Sequence, residues 1–186
     1  MLKDILEEKR LLYLVQTKKD PDAFAELYRR YIEKIYRFIF FKIGDRANSE
    51  DIASDVFLKT WNYLSDSERL PVESFSGFVY QIARNAVVDW YRGHANTAEH
   101  AIEAAHEMEA PAASSPNSAV ENMHDLDRTY RAIKKLKQEY QEVVHLRYID
   151  ELSIGEIAVI MGKGHTSVRV TLHRAMKKLR EVLDQP

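Results

Sequence analysis

The stretch Leu152–Leu183, "LSIGEIAVIMGKGHTSVRVTLHRAMKKLREVL", decides how the chain ends. Ser153 followed three residues on by Glu156 is a capping box, in which each side chain satisfies the other residue's backbone N–H at a helix start. Ile154, Ile157, Ala158 and Met161 supply an apolar stripe, and Gly162-Lys163-Gly164 permits a sharp turn. A longer helix follows, with Val168, Leu172, Ala175 or Met176, and Leu179 expected inward. A short helix, a glycine-containing turn and a longer helix make a helix-turn-helix. The outer face of the second helix then carries His165, Thr166, Ser167, Arg169, Val170, His173, Arg174, Lys177 and Lys178. In such motifs the amino end of the second helix enters the major groove of DNA. Arg169, near that end, suits the two acceptors of a guanine edge. Lys177, Lys178 and Arg180 lie further along, where phosphates are the natural partners. The alternative is the solvated face of a packing helix, because the same shape also serves protein contacts.

This cationic end belongs to a chain that is slightly acidic as a whole, with 27 Lys+Arg against 29 Asp+Glu in 186 residues. Residues 1–93 hold 15 basic and 15 acidic side chains, residues 94–126 hold no Lys or Arg and six acids, and residues 127–186 hold 12 basic and 8 acidic. Neutral, acidic and basic segments in succession imply modules with different tasks. Residues 94–124 are rich in Ala, carry "PAASSPNS" and contain few large apolar side chains, which reads as a linker with a frayed helix at most. The module boundaries are therefore 1–93, 94–124 and 125–186. The absence of Cys excludes disulfides, thiol chemistry and Cys-containing zinc sites, and fits a reducing compartment. The opening "MLKDILEEKRLLYLV" is interrupted by charge too often for a signal peptide or a membrane span. The expectation is an intracellular, cytoplasmic protein with no membrane insertion.

Helical periodicity dominates the rest, and no strand pattern stands out. Leu2, Ile5, Leu6 and Leu12 suggest a short amphipathic opener. Asp20-Pro21 is a start signal, and the helix it opens runs to about Ile43. One apolar stripe, Phe24, Leu27, Tyr28, Tyr31, Ile35, Phe38 and Ile39, and a second, Ile32, Tyr36, Phe40 and Ile43, predict a buried central element. Ser49 can cap a helix to about Leu64, Ser65–Pro71 reads as a loop, and Ser74 can cap a helix ending near Arg92-Gly93. Four short helices near 125–137, 139–149, 153–161 and 165–183 complete an all-α chain of two small domains.

Along 74–92 the spacing puts Phe75, Phe78, Val79, Ile82, Ala86 and Trp90 in a core, leaving Tyr80, Arg84, Asn85, Val88, Asp89 and Arg92 to face outward. Aromatic, amide and guanidinium groups together suit unstacked bases and a backbone, although an ordinary surface has the same composition. In 49–64, Asp51, Asp55 and Lys59 share one side, and Phe57 and Trp61 another. Asp55 and Lys59 fit either an i,i+4 pair or a partner surface.

These segments carry a resemblance. "DPDAFAELYRRYIEKIYRFIF", "EDIASDVFLKTWNYL" and "SFSGFVYQIARNAVVDWYR" are similar to region 2, and "YQEVVHLRYIDELSIGEIAVIMGKGHTSVRVTLHRAMKKLR" to region 4, of RNA polymerase sigma factors of the extracytoplasmic-function group, part of the sigma-70 family. The resemblance implies two helical domains on a flexible linker. It implies a transcription initiation factor that binds core RNA polymerase and promoter DNA, carries no cofactor, metal or catalytic residue, and is a monomer outside the holoenzyme. An anti-sigma factor is a further implied partner. By resemblance, Asp51, Asp55, Phe57, Lys59 and Trp61 match a polymerase-clamp contact. Tyr80, Arg84, Asn85, Asp89 and Arg92 match the helix that opens the minus-ten element. The loop Ser65–Ser74 matches one that captures a flipped base, and the helix from His165 matches the reader of the minus-thirty-five element. The acidic linker would occupy a basic channel of the polymerase. Two departures stand out: Thr171 sits where the family often has Arg, and Gly155 where a Glu is common.

Two other classes compete. A helix-turn-helix regulator acting alone would bind duplex DNA unaided, usually as a dimer. Glu103-Ala-Ala-His106 and Glu142-Val-Val-His145 resemble the paired Glu-x-x-His motifs of di-iron carboxylate bundles, which need two further inward carboxylates. The first pair instead lies in the Ala-rich segment beside Pro111 and Pro116. No Walker loop, dinucleotide turn or nucleophile motif argues for catalysis.

Overall fold

The computed structural model describes residues 2–94 and 128–184, and every regular element among them is helical. The linker expected at 94–124 lies outside the described residues, apart from His94, as do Glu103 and His106. The chain divides into two compact units, Met1–Glu107 and Met108–Pro186. No helix among the described residues is long and apolar enough to cross a membrane.

The first unit contains α1 (Leu2–Lys18), α2 (Pro21–Ile43), α3 (Arg46–Ser65) and α4 (Phe75–Gly93). Asp20 caps α2, accepting hydrogen bonds from Asp22 N and Ala23 N at 3.0 and 3.2 Å, and Pro21 opens the first turn. Gly44 ends the helix at φ 77°, with its N–H donated to Phe40 O at 2.8 Å; this left-handed corner favours glycine. Between these stops α2 packs on α1, α3 and α4, as a central element should. Leu27, Ile35, Phe38 and Ile39 are wholly buried. The second stripe is only half-buried at Ile32, Tyr36 and Phe40, so α2 keeps one face near the surface, where Tyr36 and Phe40 stack at 5.8 Å.

Three expectations shift in this unit. The inward face of α1 is Leu11, Leu12 and Val15, whereas Ile5 and Leu6 are exposed. The cap of α3 is Asp45, accepting from Asn48 N at 2.7 Å, and not Ser49. Gly44 lets the chain turn at once, so the helix begins at Arg46, and Ser49 is left buried in the first turns with its hydroxyl donating to Asp45 O. In α4, which Ser74 does cap, accepting from Gly77 N at 3.2 Å, the buried stripe is Phe75, Val79, Tyr80, Ala83 and Val87. Phe78, Ile82, Ala86 and Trp90 are only half-buried.

The second unit contains α5 (128–134), α6 (Gln138–Val144), α7 (Ile154–Met161) and α8 (His165–Leu183). α6 runs directly into a π-helical turn, His145–Ile149, closed by Asp150 N donating to His145 O at 3.1 Å. The wider turn brings two buried polar side chains together, His145 Nε2 and Asp150 Oδ2 lying 3.3 Å apart. α7 opens on the expected capping box: Ser153 Oγ accepts from Glu156 N at 3.2 Å, and Glu156 Oε2 accepts from Ser153 N at 2.8 Å. α8 packs on α6 and α7 through Val168, Thr171, Ala175 and Leu179, with Leu172 and Met176 only half-buried. The turn between α7 and α8 is further tied to α6 by an ion pair of Lys163 with Glu139.

The two glycines of that turn have different roles. Gly162 sits at φ 63°, in the left-handed region, while Gly164 has an ordinary φ of −73°; neither would bury an added Cβ. Gly162→Ala is therefore expected to destabilise the chain by about 1–2 kcal/mol, and Gly164→Ala to change stability by less than about 0.5 kcal/mol. Urea unfolding of the two full-length variants checks the difference.

Candidate nucleic-acid and partner interfaces

The helix-turn-helix brings its expected face together. His165, Thr166, Ser167, Arg169, Val170, His173, Arg174, Lys177 and Lys178 are all exposed on α8. Three cations, Arg169, Arg174 and Lys177, thus follow one another over the middle of the helix. Lys178 pairs with Glu181 at 2.9 Å on the surface and holds that carboxyl below its usual range. Such an exposed pair is weakly held and exchanges readily for another anion. Thr171 turns inward and is buried, so it presents nothing outward. Gly155 on α7 also has a local consequence. A Cβ there would lie 3.9 Å from His165 Cε1 and 3.8 Å from Ser153 Oγ, so the imidazole at the start of α8 rests against a position without a side chain.

On α4, Asn85, Asp89 and Arg92 are exposed and Arg84 is half-buried. Arg92 lies 3.4 Å from Asp89 one turn back. Tyr80 does not join them. It is wholly buried, with its ring edge-on to Phe38 at 5.4 Å, because the inward stripe of α4 is rotated about one residue from the expected one. A tyrosine can be read as core or as surface; here α2 supplies the aromatic wall that takes it in. Val88 is exposed as the spacing predicts, and Tyr91, outside the expected set, shares the exposed part of α4. The Tyr91 hydroxyl donates to Lys42 O at 2.6 Å, tying the end of α4 to the last turn of α2, and burial pushes its pKa up. Beside it, Trp90 stacks on His94 at 4.5 Å.

On α3, Asp51, Asp55 and Lys59 are exposed, as their shared side predicts. Phe57 is buried against Tyr28 at 4.8 Å, so it belongs to the core and is not available to a partner. Trp61 is half-buried against Phe24 at 5.1 Å. The apolar residue that does stand out is Leu58, 58% exposed. It is three residues after Asp55 and seven after Asp51, and this helical spacing is the signal that could have found it.

Among the described residues no group of three or more His, Cys, Asp or Glu side chains is placed to hold a metal. Glu142 and His145, one half of the di-iron motif, are both buried in the second unit, where His145 faces Asp150.

Comparison with known proteins follows the same division. Residues 27–97 match the sigma-70 region 2 family, and residues 126–179 match sigma-70, region 4. The chain is 32% identical over 178 residues to the ECF RNA polymerase sigma factor SigW of Bacillus subtilis, covering 90% of this chain and 93% of that protein. It is 29% identical over 184 residues to the ECF RNA polymerase sigma factor BldN of Streptomyces coelicolor, covering 95% of this chain and 67% of the relative. Among solved structures it resembles CnrH, seen in complex with the cytosolic domain of CnrY, with a TM-score of 0.67, 20% identity, and 96% and 97% of the two chains covered. It also resembles the sigma factor RpoE, in complex with the anti-sigma factor NepR from Bartonella quintana, with a TM-score of 0.60, 17% identity, and 87% and 97% covered. At these identities the structural likeness concerns the fold.

The burial difference on α3 is directly measurable. Phe57→Ala is expected to cost about 3–5 kcal/mol of stability, as a buried aromatic does. Leu58→Ala should stay within about 0.5 kcal/mol of the parent, as an exposed site does. Thermal unfolding of the two variants compares them.

Proposed function

Since the chain belongs to the extracytoplasmic-function group of sigma-70 family RNA polymerase sigma factors, we propose that its initiation function is divided among three surfaces, on α3, α4 and α8. It is a transcription initiation factor whose partners are core RNA polymerase and promoter DNA. In this reading the second unit, from about residue 125, reads the upstream element through α8, and the first, to about residue 93, docks on the polymerase and opens the minus-ten element. The observation that carries it is the uninterrupted exposure of the α8 face, with Arg169 near its amino end and Lys177 beyond. Arg169 takes a base edge, and Lys177 and Lys178 take phosphates. Val170 offers an apolar contact of the kind that suits a thymine methyl. Asn85 and Arg92, with Asp89 and Arg84 beside them, face the opened strand; Val88 gives an apolar surface for an unstacked base.

Asp51, Asp55, Leu58 and Lys59 form the polymerase-facing side of α3, a mixed patch with an apolar residue at its middle. An anti-sigma partner competing for the first unit fits the same picture. CnrH and RpoE were each seen with another protein bound, the latter with an anti-sigma factor. Each DNA-reading unit is small and offers little surface, so tethering through the polymerase supplies the second contact.

Losing the Arg169 side chain is expected to cost about 1–3 kcal/mol and to relax preference at one upstream position. Lys177→Ala should weaken binding across all sequences and lower the salt slope by about one unit. Holoenzyme affinity over a salt series, on a panel of upstream variants, reads both. A base-preference change from Lys177→Ala with a pure salt effect from Arg169→Ala would contradict the assignment. In the first unit, Asn85→Ala and Arg92→Ala should assemble with core normally and open promoters poorly by permanganate reactivity. The double variant Asp55→Ala with Leu58→Ala should do the reverse, losing core binding while keeping its helical circular-dichroism spectrum.

A further inference from the structure

The loop joining α3 to α4, residues 66–74, is anchored at its two ends by its own side chains. At the start, Asp66 accepts hydrogen bonds from Glu68 N at 3.0 Å and Arg69 Nε at 3.3 Å, and the Arg69 guanidinium lies over the Tyr63 ring at 5.6 Å. At the finish, Ser74 caps α4. Between them Leu70 is 80% exposed and is followed by Pro71. A span of this kind loses conformational entropy if a ligand must order it.

A third anchor comes from far away in sequence. The half-buried Gln16 of α1 accepts a hydrogen bond from Val72 N at 2.6 Å and donates one to Val72 O at 3.1 Å. The carboxamide pairs with the peptide backbone as a neighbouring strand would, using one donor and one acceptor on a single residue. Gln16 is itself held, because Val15 beside it is wholly buried. It precedes residues 27–97, which match region 2.

We propose that Gln16 is a positioning residue for promoter opening: by clasping Val72 it fixes the loop and presents Leu70 and Pro71 to a base that has left the stack. The proposal rests on the reading of this loop as a base-capturing element. Gln16 touches no DNA. It acts by removing the ordering cost before capture, so its loss slows opening and blurs base choice without weakening assembly.

The side chain can be varied one hydrogen bond at a time. Gln16→Met keeps the length and removes donor and acceptor; Gln16→Glu keeps the acceptor and removes the donor. Each full-length variant is assembled with core polymerase and assayed for core affinity, permanganate-detected opening, and opening on a panel of minus-ten variants. Circular dichroism checks folding, with Gln16→Glu carrying the test should Gln16→Met not fold. Gln16→Met is expected to bind core as the parent does and to open the promoter about tenfold more slowly, as the loss of two modest hydrogen bonds implies. Preference should relax at one minus-ten position and remain intact at the upstream element, with Gln16→Glu intermediate. Parental opening and base preference in a folded Gln16 variant would overturn the proposal. Leu70→Ala separates the two failures. If it impairs opening while the Gln16 variants do not, the clasp alone is wrong; if it too has no effect, the reading of the loop falls as well.

Discussion

Burial of one stripe of α2, Leu27, Ile35, Phe38 and Ile39, against three other helices is the interaction on which the first unit depends. Each wholly buried side chain of this size contributes about 1.5–3 kcal/mol relative to exposure. The stripe also sets the rotation of its neighbours. Phe38 takes the Tyr80 ring and so turns Asn85 and Arg92 of α4 outward. On α3, Phe57 is buried beside Tyr28 with Val56 and Thr60, which leaves Asp55, Leu58 and Lys59 facing outward. The faces proposed for polymerase and for opened DNA are thus consequences of how two aromatic side chains are seated in the core.

The second unit solves a similar problem with fewer residues. Its helix α8 has Val168, Thr171, Ala175 and Leu179 as its inward line and packs against α6 and α7. The left-handed Gly162 sets the corner, and the capping box fixes the start of α7. With the inner line settled, the cationic residues have only the outer face to occupy. A chain with a formal net charge of −2 can therefore still offer DNA a positive helix.

Much of this was legible in sequence because stop signals and caps are local. Asp20-Pro21, Gly44, Ser74, the Ser153–Glu156 box and Gly162 fix their helix ends by chemistry within four residues. The rotation of α4 was not legible, because Phe78, Ile82, Ala86 and Trp90 form an apolar line adjacent to Val79, Tyr80, Ala83 and Val87. Which line goes inward depends on α2, and tertiary packing decides it. The same limit hid the burial of Phe57 and the exposure of Leu58. Ser49 fits a cap by residue type alone, while Asp45, directly after the glycine corner, is the residue that caps α3. The contact of Gln16 with Val72 joins residues 56 apart, and no local pattern announces it.

An initiation factor differs from a lone regulator in that it gives promoter selectivity to core polymerase and does not select promoters by itself. Transcription from genomic DNA by core polymerase, with and without the purified full-length chain, tests it most directly. Defined new start sites that require both components are expected, with only weak, unselective DNA binding by the chain alone. Selective, tight binding to duplex promoter DNA without polymerase, and an unchanged start-site profile on adding the chain to core, would contradict it.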